Sequence, residues 1–262
     1  LRDHIPPSTP IQGGALPAMP GPGAGLQRRM LVLEGCVQPA LAPETNAAAT
    51  RVLARLGIRL VAAPEAGCCG ALDQHLAAPE AAKAAMRRNI DAWWPHIESG
   101  TEAIVMTASG CGSQVKEYGH LLRDDPAYAE KAAKVSALTR DLSEVLAGED
   151  LSGLRAGPPR RVAFHPPCSL QHGQKVRGVI EAILGGLGHE LVPVDEAHLC
   201  CGSAGTYSLL QPEIAGQLRE RKLSNLQARG PEVIATANIG CQSHLAAASA
   251  VPVVHWISLL EA

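Results

Sequence analysis

The sequence predicts an α/β protein made of two tandem, duplicated βα modules, each a small parallel sheet with flanking helices. Three observations carry this. Short β-like apolar runs alternate with helical patterns along the chain. The order of these runs is the same in both halves. All eight cysteines fall into two sets of four with one layout: Cys36, Cys68-Cys69 and Cys111, then Cys168, Cys200-Cys201 and Cys241. In both sets 31 residues separate the single cysteine from the pair, and 41 and then 39 separate the pair from the last cysteine.

In the first half, Arg28–Gly35 is a short apolar strand that runs into Cys36, and Pro43–Leu56 has helical periodicity. A second strand, Arg59–Ala63, leads to Cys68-Cys69. Pro79–Trp94 opens with Pro, which suits a first helical turn. Ala103–Thr107 is a third strand ending before Cys111, and a helix follows over Ser113–Leu122. A strand at Val135–Leu138 and a helix at Asp141–Leu146 close the half. The second half repeats this plan. Strand Arg161–His165 precedes Cys168, helix Val176–Leu187 follows, and strand His189–Val194 leads to Cys200-Cys201. Helix Pro212–Ala228, strand Val233–Ala237, strand Val251–His255 and helix Ile257–Leu260 complete it. The boundaries implied are a linker over 1–27, a first cysteine-rich module over 28–150 and a second over 151–262, joined by the Gly/Pro-rich stretch 148–160.

Residues 6–25 are rich in Pro, Gly and Ala, and the chain starts at Leu1. The expectation is a linker that follows a further upstream domain. Gly21–Gly25 (GPGAG) is not a dinucleotide fingerprint, because no strand precedes it and Pro interrupts it. Net charge is −2 and shows no basic excess, so no nucleic-acid partner is expected. No apolar run approaches the roughly 20 residues that span a bilayer. With no secretion signal, clustered cysteines point to metal binding or redox chemistry in a cytoplasmic compartment.

In open parallel sheets ligands bind beyond the carboxyl ends of strands. Every cysteine here lies just after an expected strand or in the loop that follows it, which gathers each set at one sheet edge. Thiolates favour iron–sulfur clusters and zinc. Adjacent cysteines suit a cluster of several irons better than a single tetrahedral zinc, which draws on spaced Cys-x2–4-Cys hairpins. Gly70 and Gly202 supply the turn that lets both neighbours face inward. Buried unreactive cysteines and a thiol–disulfide role are the alternatives.

The pattern Cys-x31-Cys-Cys-Gly with a later Gly-Cys, twice over, resembles the cysteine-rich (CCG) domain family of heterodisulfide reductase B-type subunits and related iron–sulfur oxidoreductases. Met30–Leu53, Ala66–His75 and Ala237–Leu245 are most similar to the iron–sulfur subunits of bacterial glycolate oxidase. The resemblance covers about residues 28–262. It implies an electron-transfer subunit of a 2-hydroxy-acid dehydrogenase, an FAD-containing partner subunit that oxidises glycolate, and electrons passed toward the membrane quinone pool. A further small subunit and peripheral placement at the inner membrane belong to the same implication. In that family a ferredoxin-like module with two [4Fe-4S] clusters precedes these domains; its Cys-x-x-Cys motifs are missing here, which fits an N-terminal truncation.

The implied ligands are Cys36, Cys68, Cys69 and Cys111 for one site and Cys168, Cys200, Cys201 and Cys241 for the other, with [4Fe-4S] as the cofactor. The fullest form of the motif ends in Cys-x-x-Cys. Here the endings are Cys111-Gly112-Ser113-Gln114 and Cys241-Gln242-Ser243-His244. His244 is therefore a candidate additional ligand, whereas Gln114 is a poor one. The second site is expected to hold metal, and the first a cluster, a zinc ion or nothing. His165 is read either as tuning the cluster by hydrogen bonding or as a core histidine. His75 and His172 sit near the cysteines, Trp93-Trp94 reads as core or partner contact, and Arg219, Arg221, Lys222 and Arg229 as a solvated helix face. A metal-stabilised or metal-free scaffold that docks the flavoprotein is the alternative function.

Overall fold

The computed structural model describes residues 28–154 and 157–260; the expected linker and the Gly21–Gly25 segment lie outside them. The first half runs β1 (Arg28–Leu33), α1 (Gln38–Leu41), α2 (Glu44–Arg55), β2 (Ile58–Ala62), α3 (Ala71–His75), α4 (Pro79–Glu98), β3 (Ile104–Met106), α5 (Ser109–Lys116), α6 (Tyr118–Leu121), α7 (Ala129–Leu138), β4 (Thr139–Asp141) and α8 (Leu142–Ala147). The second runs β5 (Arg161–His165), a π-helical turn at Ser169–Gly173, α9 (Val179–Gly186), β6 (Glu190–Leu191), α10 (Tyr207–Leu210), α11 (Pro212–Gln227), β7 (Val233–Thr236), α12 (Ile239–Ala246), β8 (Val253–His255) and a 3-10 turn at Trp256–Leu260. Two four-stranded sheets result, ordered β2-β1-β3-β4 and β6-β5-β7-β8. Every strand pair is parallel.

Strand periodicity of two decides which core each residue enters. Met30 and Val32 of β1, Val162 and Phe164 of β5, and Val233 and Ala235 of β7 face one core shared by both halves, with Trp256 fully buried in it. Leu31, Leu33, Ile104 and Met106 face the opposite way, against Met86, Ile90 and Trp93 of α4. Ala163 and Ile234 face a third cluster with Leu223 and Leu226 of α11. The shared core makes the two halves mutually dependent; Trp256→Ala there costs about 3–5 kcal/mol by the usual aromatic truncation penalty.

The structure corrects several sequence expectations. Val135–Leu138 is the last turn of α7, not a strand, and β4 begins only at Thr139. The Ala- and Lys-rich segment before Val135 keeps the helix going despite that β-branched residue. The helix expected at Ser113 starts at Ser109 and so contains Cys111. The expected strand His189–Val194 shrinks to Glu190–Leu191, close to Pro193, which has no amide to donate. Lys222 is not on a solvated face: it is fully buried, while Arg221 and Arg229 are exposed and Arg219 is half-buried. Trp93 is core, whereas Trp94 is half-buried and donates to Glu98. No helix among the described residues is long and apolar enough to cross a membrane.

Candidate metal centres

The fold brings each cysteine set to the carboxyl edge of its sheet. Cys36 follows β1, Cys68-Cys69 follow β2, and Cys111 is in the first turn of α5, just after β3. Cys168, Cys200-Cys201 and Cys241 hold the same places around β5, β6 and α12. In the first set the side chains form a row, with Cys36 against Cys68, Cys68 against Cys69 and Cys69 against Cys111. The second row is Cys168, Cys200, Cys201 and Cys241. All eight are free thiols; Cys36 and Cys168 are exposed, and Cys69, Cys201 and Cys241 are buried.

The glycine after each pair has a physical reason. Gly70 and Gly202 sit at φ +83° and +91°, a region that penalises a Cβ. A Cβ on Gly70 would lie 3.0 Å from the Ala82 carbonyl oxygen in the first turn of α4, and one on Gly202 would overlap the Ala215 carbonyl in the matching turn of α11. This turn also aims an amide at sulfur: Gly70 N–H donates to Cys68 Sγ at 3.5 Å, and Gly202 N–H to Cys200 Sγ at 3.3 Å.

Crowding sets the thiol acidities. Cys68 and Cys69 are raised, each chiefly by the next thiol in its row, and Cys36 is raised by burial and then by Cys68. In the second row the values alternate. Cys200 and Cys241 are lowered because they accept hydrogen bonds from Cys168 and Cys201, and these two donors are raised in turn. The His165 ring and the Asn238 amide also favour the Cys241 thiolate. A desolvated row of soft donors, able to hold more than one negative charge, fits a thiophilic cation or cluster.

The two sites differ in what surrounds them. At the first, Asn89 and Tyr118 clamp the backbone: Asn89 Nδ2 donates to Cys68 O at 3.0 Å, Asn89 Oδ1 accepts from Gly67 N–H at 2.9 Å, and Tyr118 OH donates to Cys69 O at 2.8 Å. At the second, the position matching Asn89 on the helix is Lys222. Its Nζ donates to Glu196 O at 2.7 Å and Ala197 O at 3.3 Å. Burial lowers the Lys222 pKa, and the charges of Cys201, Cys200 and Cys241 oppose that. The second row therefore has a buried cation beside it.

His165, 1% exposed, belongs to this second site more closely than sequence alone indicates. One ring nitrogen and the sulfurs of Cys201 and Cys241 all lie within 4.8 Å of one another. Neither ring nitrogen has a well-aligned hydrogen-bond partner, although the ring is close enough to Cys241 to favour its thiolate. The sequence signal was its place at the end of a strand, three residues before Cys168. His244, the expected extra ligand, is half-buried, with Nε2 3.3 Å from the Ala215 carbonyl. His75 and His172 are exposed.

The two sites are joined. Asn238 Oδ1 accepts from Gly110 N–H at 3.0 Å, next to Cys111, while Asn238 Nδ2 donates to Cys241 Sγ at 3.7 Å. Ser109 N–H donates to Ala237 O at 3.0 Å, and Gln174 Nε2 donates to Ser109 O at 2.9 Å. Further along, His255 Nε2–H donates to Thr107 O at 2.9 Å and its Nδ1 accepts from Ile257 N–H. Sequence reading found none of these contacts between the halves.

Comparison with known proteins finds the same duplication of the chain. The family model described as "Cysteine-rich domain" (CCG) matches residues 30–116 and again 162–246. The chain is 55% identical over 263 residues to the glycolate oxidase iron-sulfur subunit of Escherichia coli (strain K12), covering 100% of this chain and 65% of that protein. It is 31% identical over 222 residues to a probable glycolate oxidase iron-sulfur subunit of Bacillus subtilis (strain 168), covering 82% of this chain and 49% of that one. It is also 31% identical over 207 residues to lactate utilization protein A of Geobacillus kaustophilus, covering 76% and 82%. The chain thus spans 65% and 49% of the lengths of the two glycolate oxidase relatives.

Proposed function

Because the chain belongs to the cysteine-rich (CCG) domain family, we propose that it is the electron-transferring part of an iron–sulfur subunit in a complex that oxidises glycolate or a similar 2-hydroxy acid. The observation that carries this reading is the pair of four-thiol rows at matching sheet edges, bridged by Asn238. The 55% identity to a glycolate oxidase iron-sulfur subunit supports the substrate class. In this reading Cys168, Cys200, Cys201 and Cys241 hold one [4Fe-4S] group, and Cys36, Cys68, Cys69 and Cys111 hold a second group or a structural zinc. His244 is a reserve ligand at the second site.

Such a group supplies one-electron chemistry. The chain's own residues do the rest. The thiolates bind, Gly202 N–H and Asn238 Nδ2 donate to sulfur, and buried Lys222 offsets negative charge. Hydrogen bonds to sulfur and nearby positive charge both favour the reduced state. The flavin belongs to a partner subunit, and the electrons leave toward membrane quinone, with any inner-membrane contact made through the complex. Partner docking on the cysteine face is supported by the exposed apolar residues Val37 and Leu41 after Cys36, Leu72 and Leu76 after Cys69, and Leu209, Leu210 and Ile214 after Cys201. The domain limits 28–150 and 151–262 are part of the same proposal.

At the first set the surroundings favour the structural reading. Leu33 and Met106 are apolar, and the Cys68 and Cys69 carbonyls are held by Asn89 and Tyr118. The test is a Cys200→Ser, Cys201→Ser protein mixed with its flavoprotein partner. It is expected to assemble but to pass no electrons to a quinone analogue; turnover at the wild-type rate would contradict the proposal.

A further inference from the structure

We propose that His165 is a direct metal ligand at the second cysteine set, giving that site a mixed thiolate–imidazole character that the first lacks. This rests on the reading that the second set holds an iron–sulfur group, and it adds a ligand to it.

The first argument is local. His165 ends β5 on the face shared with Ala163, which turns it toward Cys201 and Cys241. All three residues are buried, with one potential ligand atom each inside a 4.8 Å span. A neutral imidazole carries one N–H and one lone pair, and buried polar atoms are nearly always partnered. Neither His165 nitrogen has a well-aligned hydrogen-bond partner, and what the ring faces is the Cys241 sulfur, itself one of the proposed ligands. A metal at the sulfurs takes the lone pair, and ligating imidazoles use the remaining N–H on a second polar group. Thr236, the register partner of His165 on β7, has a buried hydroxyl that is also unpartnered. His244 lacks this character, because its ring already meets the Ala215 carbonyl.

The second argument comes from the duplication. Counting from the matched cysteines, His165 corresponds to Leu33 and Thr236 to Met106, a pair in register in the first sheet as His165 and Thr236 are in the second. Ser203, which is buried, corresponds to Ala71. The two halves thus share their cysteines, their glycines and their strand order, but differ at these places: apolar in one half, polar in the other. Burying a histidine and a hydroxyl beside thiols opposes folding unless something binds them. The first set offers thiolates alone, so the two sites are not electronically equivalent.

The test uses the chain grown with 15N-histidine and loaded anaerobically with iron and sulfide. Iron X-ray absorption reads the ligand shell in any oxidation state, and pulsed EPR reads 15N coupling to the paramagnetic form. Wild type is expected to show an imidazole shell, lost in His165→Leu and kept in His244→Leu. His165→Leu copies the residue at the matching place in the first half, and His165→Cys restores a soft donor. The cysteine variant should keep its iron while losing the nitrogen signature. Iron bound at the second set without an imidazole shell, or a shell that survives His165→Leu, overturns the ligand assignment and leaves the iron–sulfur reading intact. Iron content unchanged by Cys200→Ser, Cys201→Ser means that the second set holds no iron, and overturns both.

Discussion

Replacing His255 by glutamine is expected to change how the stability of the apoprotein depends on pH, while leaving it nearly unaltered at pH 7.5. His255 is buried at the junction of the halves, donating from Nε2 to Thr107 O and accepting at Nδ1 from Ile257 N–H. The bond from Ile257 requires the neutral ring, because only an unprotonated Nδ1 accepts, and burial pushes the pKa down to about 4 although the bond to Thr107 O favours the charged form. In the unfolded chain the value is near 6.5. Between these values the unfolded chain binds the extra proton, so the stability supplied by neutral His255 is complete above pH 6.5 and is lost as pH falls toward 4. The loss is about 2 kcal/mol at pH 5 and approaches about 3 kcal/mol at pH 4. Glutamine donates and accepts in the same sense but does not titrate. Other groups, among them Asp141, whose carboxyl is raised to about 6 by burial, contribute to both proteins and cancel in the difference. The assay is urea unfolding of reduced, metal-free wild type and His255→Gln at pH 7.5 and 5.0. The variant should gain about 2 kcal/mol on wild type over that interval. A stability difference independent of pH would refute the argument that a neutral His255 joins the halves.

Three further outcomes follow from the site geometry. Gly70→Ala should cost about 1–2 kcal/mol for its left-handed backbone. Gly202→Ala should cost more, roughly 2–5 kcal/mol, because the overlap with the Ala215 carbonyl adds an overpacking penalty; equal denaturation midpoints for the two would refute the difference. Asn238→Leu removes a donor from Cys241 Sγ and an acceptor from Gly110 N–H, so it should lower the reduction potential of the second centre and cost about 1–3 kcal/mol of stability. An EPR-monitored redox titration and urea unfolding check the two halves of that statement. Lys222→Met should likewise lower the second centre's potential; a potential unchanged by the substitution would contradict the placement of this cation.

The repeated cysteine spacing was enough to read the duplication and the parallel sheets, because each cysteine follows a short apolar run and loops at strand ends carry ligands. Strand Arg161–His165 has the same limits in sequence and structure. Legibility failed where long-range packing decides. His165 and Thr236 are in register across two strands but far apart in the chain, so nothing local marks them as one polar pair. Lys222 sits in a run of charged residues that reads as solvated, yet its helix turns that one position onto the carbonyls of Glu196 and Ala197. The Asn89–Tyr118 clamp and the Asn238 bridge likewise join residues that no spacing rule pairs. Val135–Leu138 reads as a strand because β-branched residues favour strands, but Ala132 and Val135 instead share the buried face of α7.

The most direct measurement of the central claim is the iron, acid-labile sulfide and zinc content of the chain purified without oxygen, with EPR spectra of its oxidised and reduced forms, compared with Cys200→Ser, Cys201→Ser. The account predicts about four iron and four sulfide for a [4Fe-4S] group at the second set, a paramagnetic signal in one oxidation state, and loss of both in the variant. Stoichiometric zinc in place of iron at the second set, or a folded protein that takes up neither metal there, would contradict it.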